Sequence, residues 1–344
     1  MWKWSNYYCA NTAKETLRVN LDETSICMFQ GASRGNIFVS KREEPCERAS
    51  LNERRSYLTH VGLVCDRAGI QPLLPQFLIG NERVLPAGQM AALRGACPPN
   101  VRLVRQKSSW NNTQLFCAII RAVGKTLREV APGLQPIFFF DAATIHIPPA
   151  VFRACRVAGM WPVVIPARAT WLLQPLDTHV FKHLKAALRK ACLEHRVLTE
   201  DGRLPIAGLL RCLCSAIGDV LGGVDWSSAF EHDGFSPLQA GLSERVRKHV
   251  GVACAVPAPA DRPTADDLRC CFPANRRIPL GAIWSAFDTP VVGGAAAPSA
   301  GSAEPAPIAP AARLVADAPI TRSMSRRMRA AAAEASGAGA SSSV

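Results

Sequence analysis

The sequence lacks several features that would assign it to particular classes of protein. It has no uninterrupted apolar run close to about 18 residues long, so it predicts no membrane span. The first ten residues include Trp2, Lys3 and Trp4 but no apolar h-region, which argues against a secretory signal. The 13 cysteines form no C-x2-C pair of the zinc-binding kind, and no internal repeat is visible. These absences favour an intracellular protein with reduced, mostly buried thiols.

Positive charge, by contrast, is in excess. Over 344 residues the formal net charge is +13, which predicts attraction to polyanions, most often nucleic acid. On charge alone, a merely soluble basic protein remains the alternative. The length suits one large domain with appendages.

Alternating and apolar segments predict the order of elements. Strands at 17–21, 57–65 and 71–79 would form an antiparallel meander, because residues 66–70 suit a hairpin turn. Helices and buried strands then alternate at 113–130, 136–140, 151–157, 161–165 and from about Asp177 onward. This order predicts an α/β, ribonuclease H-like fold with a mixed five-stranded sheet flanked by helices. Further helices are expected at 204–221 and 238–252.

The same patterns predict the domain boundaries. We expect an N-terminal lead-in at 1–16, a ribonuclease H-like domain at 17–200, a helical extension packed on it at 201–252 and an irregular segment at 253–289. The tail at 290–344 is rich in alanine, proline, glycine and serine and should be disordered, apart from a short helix around Arg322 to Glu334. The arginines of that helix suggest a nuclear-import or nucleic-acid patch, with a solvated charge run as the alternative.

Three aspartates follow strand-like or apolar runs. Asp22 comes after 17–21, Asp141 after Phe138-Phe139-Phe140, and Asp177 after Leu173-Gln174-Pro175-Leu176. Their carboxylates could converge at one edge of the sheet, where each pair about 4 Å apart would repel by roughly 4 kcal/mol at an effective dielectric near 20. A divalent cation reverses that repulsion, and hard oxygen ligands suit Mg2+ or Mn2+. We therefore expect a site for two such ions.

Several of these residues also have a structural interpretation. Asp22 could be an N-cap or turn residue, and Asp177 could cap the helix that follows it. Asp141 is harder to explain in this way, since a carboxylate directly after three phenylalanines is desolvated unless something compensates it. His146 would orient a phosphate or a water, or be a satisfied polar residue. Trp110 could stack on a base, but burial beside a helix is the favoured interpretation.

The helix predicted after Asp177 carries a basic face. Its apolar residues form one stripe, and four basic side chains lie mostly off that stripe: Lys182, Lys185, Arg189 and Lys190. We expect these side chains to bind nucleic acid by contacting backbone phosphates without reading the base sequence.

These motifs resemble the catalytic domain of DDE-superfamily endonucleases, the transposase type of the pogo and jerky group, which is related to mariner transposases. The matching stretches are Asp22-Glu23-Thr24, Arg55 to Thr59, Trp110-Asn111-Asn112, Asp141 with His146, and Leu173 to Asp177 with Val180-Phe181-Lys182. A weaker match lies at Trp226 to Gly241. The resemblance covers roughly Leu17 to Leu242, and Gln174-Pro175-Leu176-Asp177 is its most specific part.

The resemblance implies a metal-dependent DNA endonuclease or strand transferase, in which Asp22, Asp141 and Asp177 hold two Mg2+ or Mn2+ ions and His146 supports them. It implies DNA as the partner, a homodimer as the expected assembly, and a nuclear location in a eukaryotic cell. It implies neither a membrane nor a small-molecule cofactor.

Two departures from the family pattern favour a second hypothesis, a domesticated or decayed remnant that binds nucleic acid or protein without catalysis. Ala142 stands where the family has asparagine. Only about twenty residues precede Asp22, too few for the helix-turn-helix modules of family transposases. In a third hypothesis the acids merely cap helices and turns.

Overall fold

A six-stranded sheet lies at the centre of the protein. The computed structural model describes residues 1–27, 57–197, 204–235, 242–250 and 262–288. The strands are β1 Thr16–Cys27, β2 Tyr57–Cys65, β3 Gln76–Asn81, β4 Val101–Gln106, β5 Gln135–Asp141 and β6 Trp161–Ile165. They are ordered β4-β3-β2-β1-β5-β6. The first three strands are antiparallel, β5 and β6 run parallel to β1, and β4 runs parallel to β3.

This arrangement confirms the predicted ribonuclease H-like fold, in which an antiparallel meander is continued by parallel strands beyond β1. The sheet has one strand more than the five expected, because β4 adds to the edge beside β3. Strand β1 does not end at Leu21, since residues 22–27 pair with 57–62 of β2. Strand β3 begins later than predicted, because Gln71–Leu73 forms a 3-10 turn.

Helices flank the sheet. They are α1 Trp2–Ala10, α2 Met90–Gly95, α3 Thr113–Val130, α4 Pro149–Ala158, α5 Thr170–Leu173, α6 Phe181–Val197, α7 Ile206–Ile217, α8 Ser227–His232, α9 Glu244–Val250, α10 Ala265–Leu268 and α11 Leu280–Phe287. A π-helical turn, Leu176–Val180, leads into α6. The predicted helices at 113–130 and 151–157 are confirmed as α3 and α4, whereas α1 and α11 lie in segments where we predicted no helix. None of the helices in the described ranges is long and apolar enough to cross a membrane.

Helices α3 and α4 pack closely against each other. A Cβ atom at Gly124 of α3 would lie 2.5 Å from the Cβ atom of Ala158 on α4, so only glycine allows this approach. Helix α3 begins at Asn112, whose side chain accepts a 2.9 Å hydrogen bond from the Leu115 N–H. Helix α4 begins with Pro149 and ends at Gly159, which has a φ of 70°.

The core extends from the sheet to the outermost helices. Phe138, Phe139 and Phe140 of β5 are fully buried, as a parallel strand covered on both faces requires. Trp284 of α11 lies against Trp4 of α1, with ring centroids 6.3 Å apart. All described residues belong to one compact unit, Met1–Val291. The predicted tail at 290–344, including its arginines, lies outside the described residues.

Candidate functional site

Asp22 lies inside β1, two residues beyond the last pairing of β1 with β5 at Asn20. On its other side it faces Gly62 of β2, and opposed residues of an antiparallel pair share a face of the sheet. A Cβ atom at Gly62 would be 3.0 Å from the Phe181 ring and 3.4 Å from the Leu176 side chain. The missing side chain therefore lets the π-helical turn, which carries Asp177, pack beside Asp22.

Asn20 connects the elements that carry the three aspartates. Its side chain is fully buried in β1, where Nδ2 donates to the Phe139 carbonyl of β5 at 3.2 Å. Its Oδ1 accepts from the Leu176 N–H, one residue before Asp177, at 3.0 Å. Sequence analysis missed this residue, although a buried asparagine two positions before an acid in an apolar strand is a usable signal.

The three predicted carboxylates form one interacting cluster. Asp22 and Asp177 share a hydrogen bond, which requires one proton between the two carboxyl groups. Burial and the charges of Asp177 and Asp141 raise the pKa of Asp22 well above its ordinary value. Burial also raises the pKa of Asp177, against the effect of its hydrogen bond with Asp22. The end of β5, the middle of β1 and the π-helical turn therefore meet at these three residues.

His146 joins Asp141 to a fourth acid, Glu23. Its Nδ1 lies 2.5 Å from Asp141 Oδ1, and its Nε2 lies 3.3 Å from Glu23 Oε1. Burial opposes the charged ring, but hydrogen bonds with the two carboxylates raise the pKa of His146 to about 9. The ring therefore carries both protons at neutral pH and donates to both acids. Phe116 stacks on it at 4.0 Å, and Asn111 Nδ2 donates to Glu23 Oε1 at 2.6 Å.

Asp141 has a partial substitute for the side chain that Ala142 lacks. Ala142 is buried and offers no side-chain hydrogen bond. The backbone N–H of Ala143 donates to Asp141 Oδ1 at 3.1 Å instead. Together with His146, this contact orients the carboxylate at the end of β5.

The cluster suits a divalent cation in charge but not in its present side-chain arrangement. Within the described ranges, no set of three His, Cys, Asp or Glu side chains is placed as a ligand group. Asp141 Oδ1 instead accepts a 2.5 Å hydrogen bond from His146. Desolvation and the proximity of the other carboxylates nevertheless raise the pKa of Asp22 and Asp177, so a cation bound there would relieve repulsion among like charges. The donors are hard oxygens, as Mg2+ and Mn2+ require.

A second polar cluster, absent from our predictions, fixes the segment before α6. Asp233, which is fully buried, accepts from Thr178 Oγ1 at 2.7 Å and from Arg245 Nη1 at 2.6 Å. Arg245 also donates to the carbonyls of Leu172 and Trp171, at 2.9 and 3.1 Å. The residues flanking the Gln-Pro-Leu-Asp stretch are thus tied to α9.

The four predicted basic residues all lie at exposed positions of α6. They differ in what surrounds them. The Lys185 ammonium interacts with Asp177 and Asp22, so it faces the carboxylate cluster. Lys190 Nζ lies 3.9 Å from Glu194. Lys182 and Arg189 are therefore the members of this face best placed to meet an external phosphate.

The favoured interpretation of Trp110 was wrong. Its side chain is 61% exposed in the loop before α3. The adjacent Asn111 is the residue that packs inward, onto Glu23. The tryptophan therefore lies at the surface and does not contribute to the core.

Comparison with known proteins gives a distant likeness. No protein-family model matches the chain, and no curated protein matches it. The similar solved structures include "Mos1 transposase paired-end complex with left transposon end", at 15% identity and a TM-score of 0.34; "Crystal structure of the Mos1 mariner paired end complex with Mn", at 15% and 0.33; and "Crystal structure of a pre-cleavage Mos1 transpososome", at 14% and 0.34.

These matches are partial in both directions. The first two cover 68% of this chain and 62% of the other, and the third covers 67% and 63%. This chain therefore spans less than two thirds of the proteins that it matches.

Proposed function

We propose that this chain is a transposase-derived, DDE-type nuclease domain that binds DNA and cleaves or joins phosphodiesters with two divalent metal ions. One observation carries the proposal: three separate elements bring Asp22, Asp141 and Asp177 into one cluster of interacting charges where β5 ends beside β1. A protein that used these acids only as caps would have no reason to hold three like charges beside one another.

The residues of the site would divide the work of the reaction. Bound Mg2+ or Mn2+ would supply an activated water or DNA 3′-hydroxyl and stabilise the leaving oxygen. Asp22, Asp141 and Asp177 would hold the ions, which requires that Asp22 and Asp177 lose their shared proton. His146 holds Asp141 by a 2.5 Å hydrogen bond, Asn20 accepts from the Leu176 backbone N–H before Asp177, and Asp233 accepts from the Thr178 hydroxyl after it. Lys182 and Arg189 would contact the phosphate backbone.

The proposed activity is tested by nicking of a supercoiled plasmid in the presence of Mn2+. The parent protein should nick the plasmid, and Asp141→Asn should reduce the rate at least a hundredfold, because an amide cannot replace an anionic ligand. Asp219→Asn, at an exposed position in another part of the chain, is the matched control and should leave the rate unchanged. Equal nicking by the parent and the Asp141 variant would refute the proposed site.

One observation favours a second candidate, a DNA-binding protein without catalysis. The hydrogen bond between Asp22 and Asp177, and the one that His146 donates to Asp141, partly neutralise the cluster without any metal. If the chain is such a remnant, it and its Asp141→Asn variant should bind DNA equally tightly, and neither should nick the plasmid with Mn2+. The same assay, run beside a binding measurement, therefore separates the two candidates.

A further inference from the structure

A groove of about 550 Å³ runs between α3 and α4, outside the carboxylate cluster. Its volume is within the range of roughly 300 to 1,000 Å³ that is usual for binding sites. Its floor includes Cys117 from α3, and Val157 of α4, which is 70% exposed, forms one wall. Arg121 of α3 and Arg153 of α4 line it from opposite helices.

The groove is positively charged without internal compensation. None of the residues that line it is acidic. Within the described ranges, neither Arg121 nor Arg153 has a carboxylate or hydrogen-bond partner. Burial raises the pKa of the Cys117 thiol, and both guanidinium groups oppose that shift, so their fields meet over the floor. Two arginines that converge on one groove suit a phosphate ligand, because guanidinium binds phosphate in a bidentate manner.

The groove begins where the carboxylate cluster ends. Thr113, which lines it, donates from Oγ1 to the Ile145 carbonyl at 3.1 Å. The next residue, His146, bonds Asp141 and stacks on Phe116 of the first turn of α3. A strand held at the carboxylate cluster can therefore continue across the first turn of α3 into the groove.

We propose that this groove binds the sugar–phosphate backbone of DNA that extends from the carboxylate cluster, with Arg121 and Arg153 each holding a phosphate. Cys117 and Val157 form the apolar surface against which a deoxyribose packs. This inference rests on the proposed function for its choice of DNA as the partner. An acidic peptide is the competing occupant, but the chain's net charge of +13 and the continuity with the carboxylate cluster favour DNA.

The chain offers a matched pair of double variants on the same two helices. Arg121→Ala with Arg153→Ala empties the groove of charge. Lys125→Ala with Arg156→Ala removes the same charge from exposed positions that do not line the groove. Arg121→Lys with Arg153→Lys keeps the charge and loses the bidentate geometry. Circular dichroism melting of each variant checks that the fold is retained.

Fluorescence anisotropy of a labelled, non-specific duplex over a range of salt concentrations measures the outcome. Each phosphate contact changes the slope of log K against log salt by about 0.9, so at about 0.1 M salt it raises the binding constant roughly eightfold relative to 1 M salt. The groove alanine pair should weaken binding at least tenfold and lower the slope by about 2, whereas the lysine pair should keep most of the slope. The control pair should change binding less than threefold.

Three results would overturn the proposal. The parent could fail to bind DNA, or the groove and control pairs could lose equal DNA affinity. The groove alanine pair could also lose affinity for a labelled polyglutamate peptide while it keeps its affinity for DNA. The last result would assign the groove to an acidic peptide. Plasmid nicking with Mn2+ separates this inference from the proposed activity. If the groove variant loses DNA affinity and the parent does not nick the plasmid, the groove proposal is supported and catalysis is refuted. If the parent nicks the plasmid but the groove and control variants bind DNA equally well, catalysis is supported and the groove proposal is refuted.

Discussion

Replacing Asp22 by asparagine removes one carboxylate from a cluster of like charges, and we expect the metal-free protein to become more stable at about pH 8. Because the pKa values of Asp22 and Asp177 are raised in the folded protein, the stability they contribute is complete below about pH 4 and is lost as pH rises through the folded values. Asparagine does not ionise, and its amide can donate the hydrogen bond to Asp177 that the shared proton now supplies.

The magnitude follows from the charges. Two carboxylates about 5 Å apart repel by about 3 kcal/mol at an effective dielectric near 20. The proton shared by Asp22 and Asp177 already relieves part of this repulsion, so a gain of about 1 to 3 kcal/mol is expected, which corresponds to roughly 3 to 9 °C in Tm for a domain of this size. The gain should shrink toward zero at about pH 4.

With Mn2+ bound, the parent should become more stable than Asp22→Asn, the reverse of their order of stability without metal. A cation that binds only the folded state adds about 2.7 kcal/mol of stability at a hundred times its Kd. The parent should therefore gain stability with Mn2+, whereas Asp22→Asn should gain little. The assay is thermal unfolding followed by circular dichroism at several pH values, with and without Mn2+. Asp219→Asn, at an exposed position, serves as the control.

Two results would refute this reasoning. Parallel curves of Tm against pH for the parent and Asp22→Asn would show that the carboxyl is not under electrostatic strain in the folded protein. An Mn2+ response that is equal in both proteins, or absent from both, would show that the cluster does not bind the cation.

Three further predictions concern DNA binding and packing. Replacing Lys182 and Arg189 by alanine should weaken binding to a specific and to a scrambled duplex equally. It should also lower the slope of log K against log salt by about 2, as measured by fluorescence anisotropy. Weaker binding to only one of the two duplexes would contradict phosphate contact. Asp233→Ala should destabilise the fold by about 2 to 3 kcal/mol in urea unfolding, since the half-exposed Arg245 loses its buried partner, and a cost equal to that of Asp219→Ala would argue against the cluster. Gly124→Ala should cost about 1 to 3 kcal/mol through its clash with α4, whereas Gly281→Ala, which meets no neighbouring atom, should be neutral or stabilising.

Hydrophobic patterning predicted most of the sheet, because buried strands such as β5 and β6 are continuous apolar runs. The end of β1 was misplaced because Asp22-Glu23-Thr24 has the composition of a cap. Its continuation depends on pairing with β2, which is remote in sequence. Strand β4 was missed because Val101–Gln106 is short and contains two arginines, so it has the length and polarity of a loop.

Within the candidate site, the residue types were more predictable than their partners. A carboxylate after an apolar run is visible in any single sequence, and so Asp141 could be identified. The contact of His146 with Glu23 spans 123 positions and arises only from the strand register. Asp233 lies 55 positions from Thr178, and no local pattern connects the two. Long-range polar contacts leave no periodic trace in the sequence.

Because of the position of Asn20, counting the acidic residues of a chain of this type does not show whether its carboxylate cluster is intact. One amide sets the spacing between β5 and the turn before Asp177, and β1 carries both that amide and Asp22. Loss of the amide would misalign the three carboxylates while leaving every one of them in the sequence. Loss of the cluster by this route would be invisible to a search for three aspartates, so relatives of this chain are better sorted by the buried asparagine and the aspartates together.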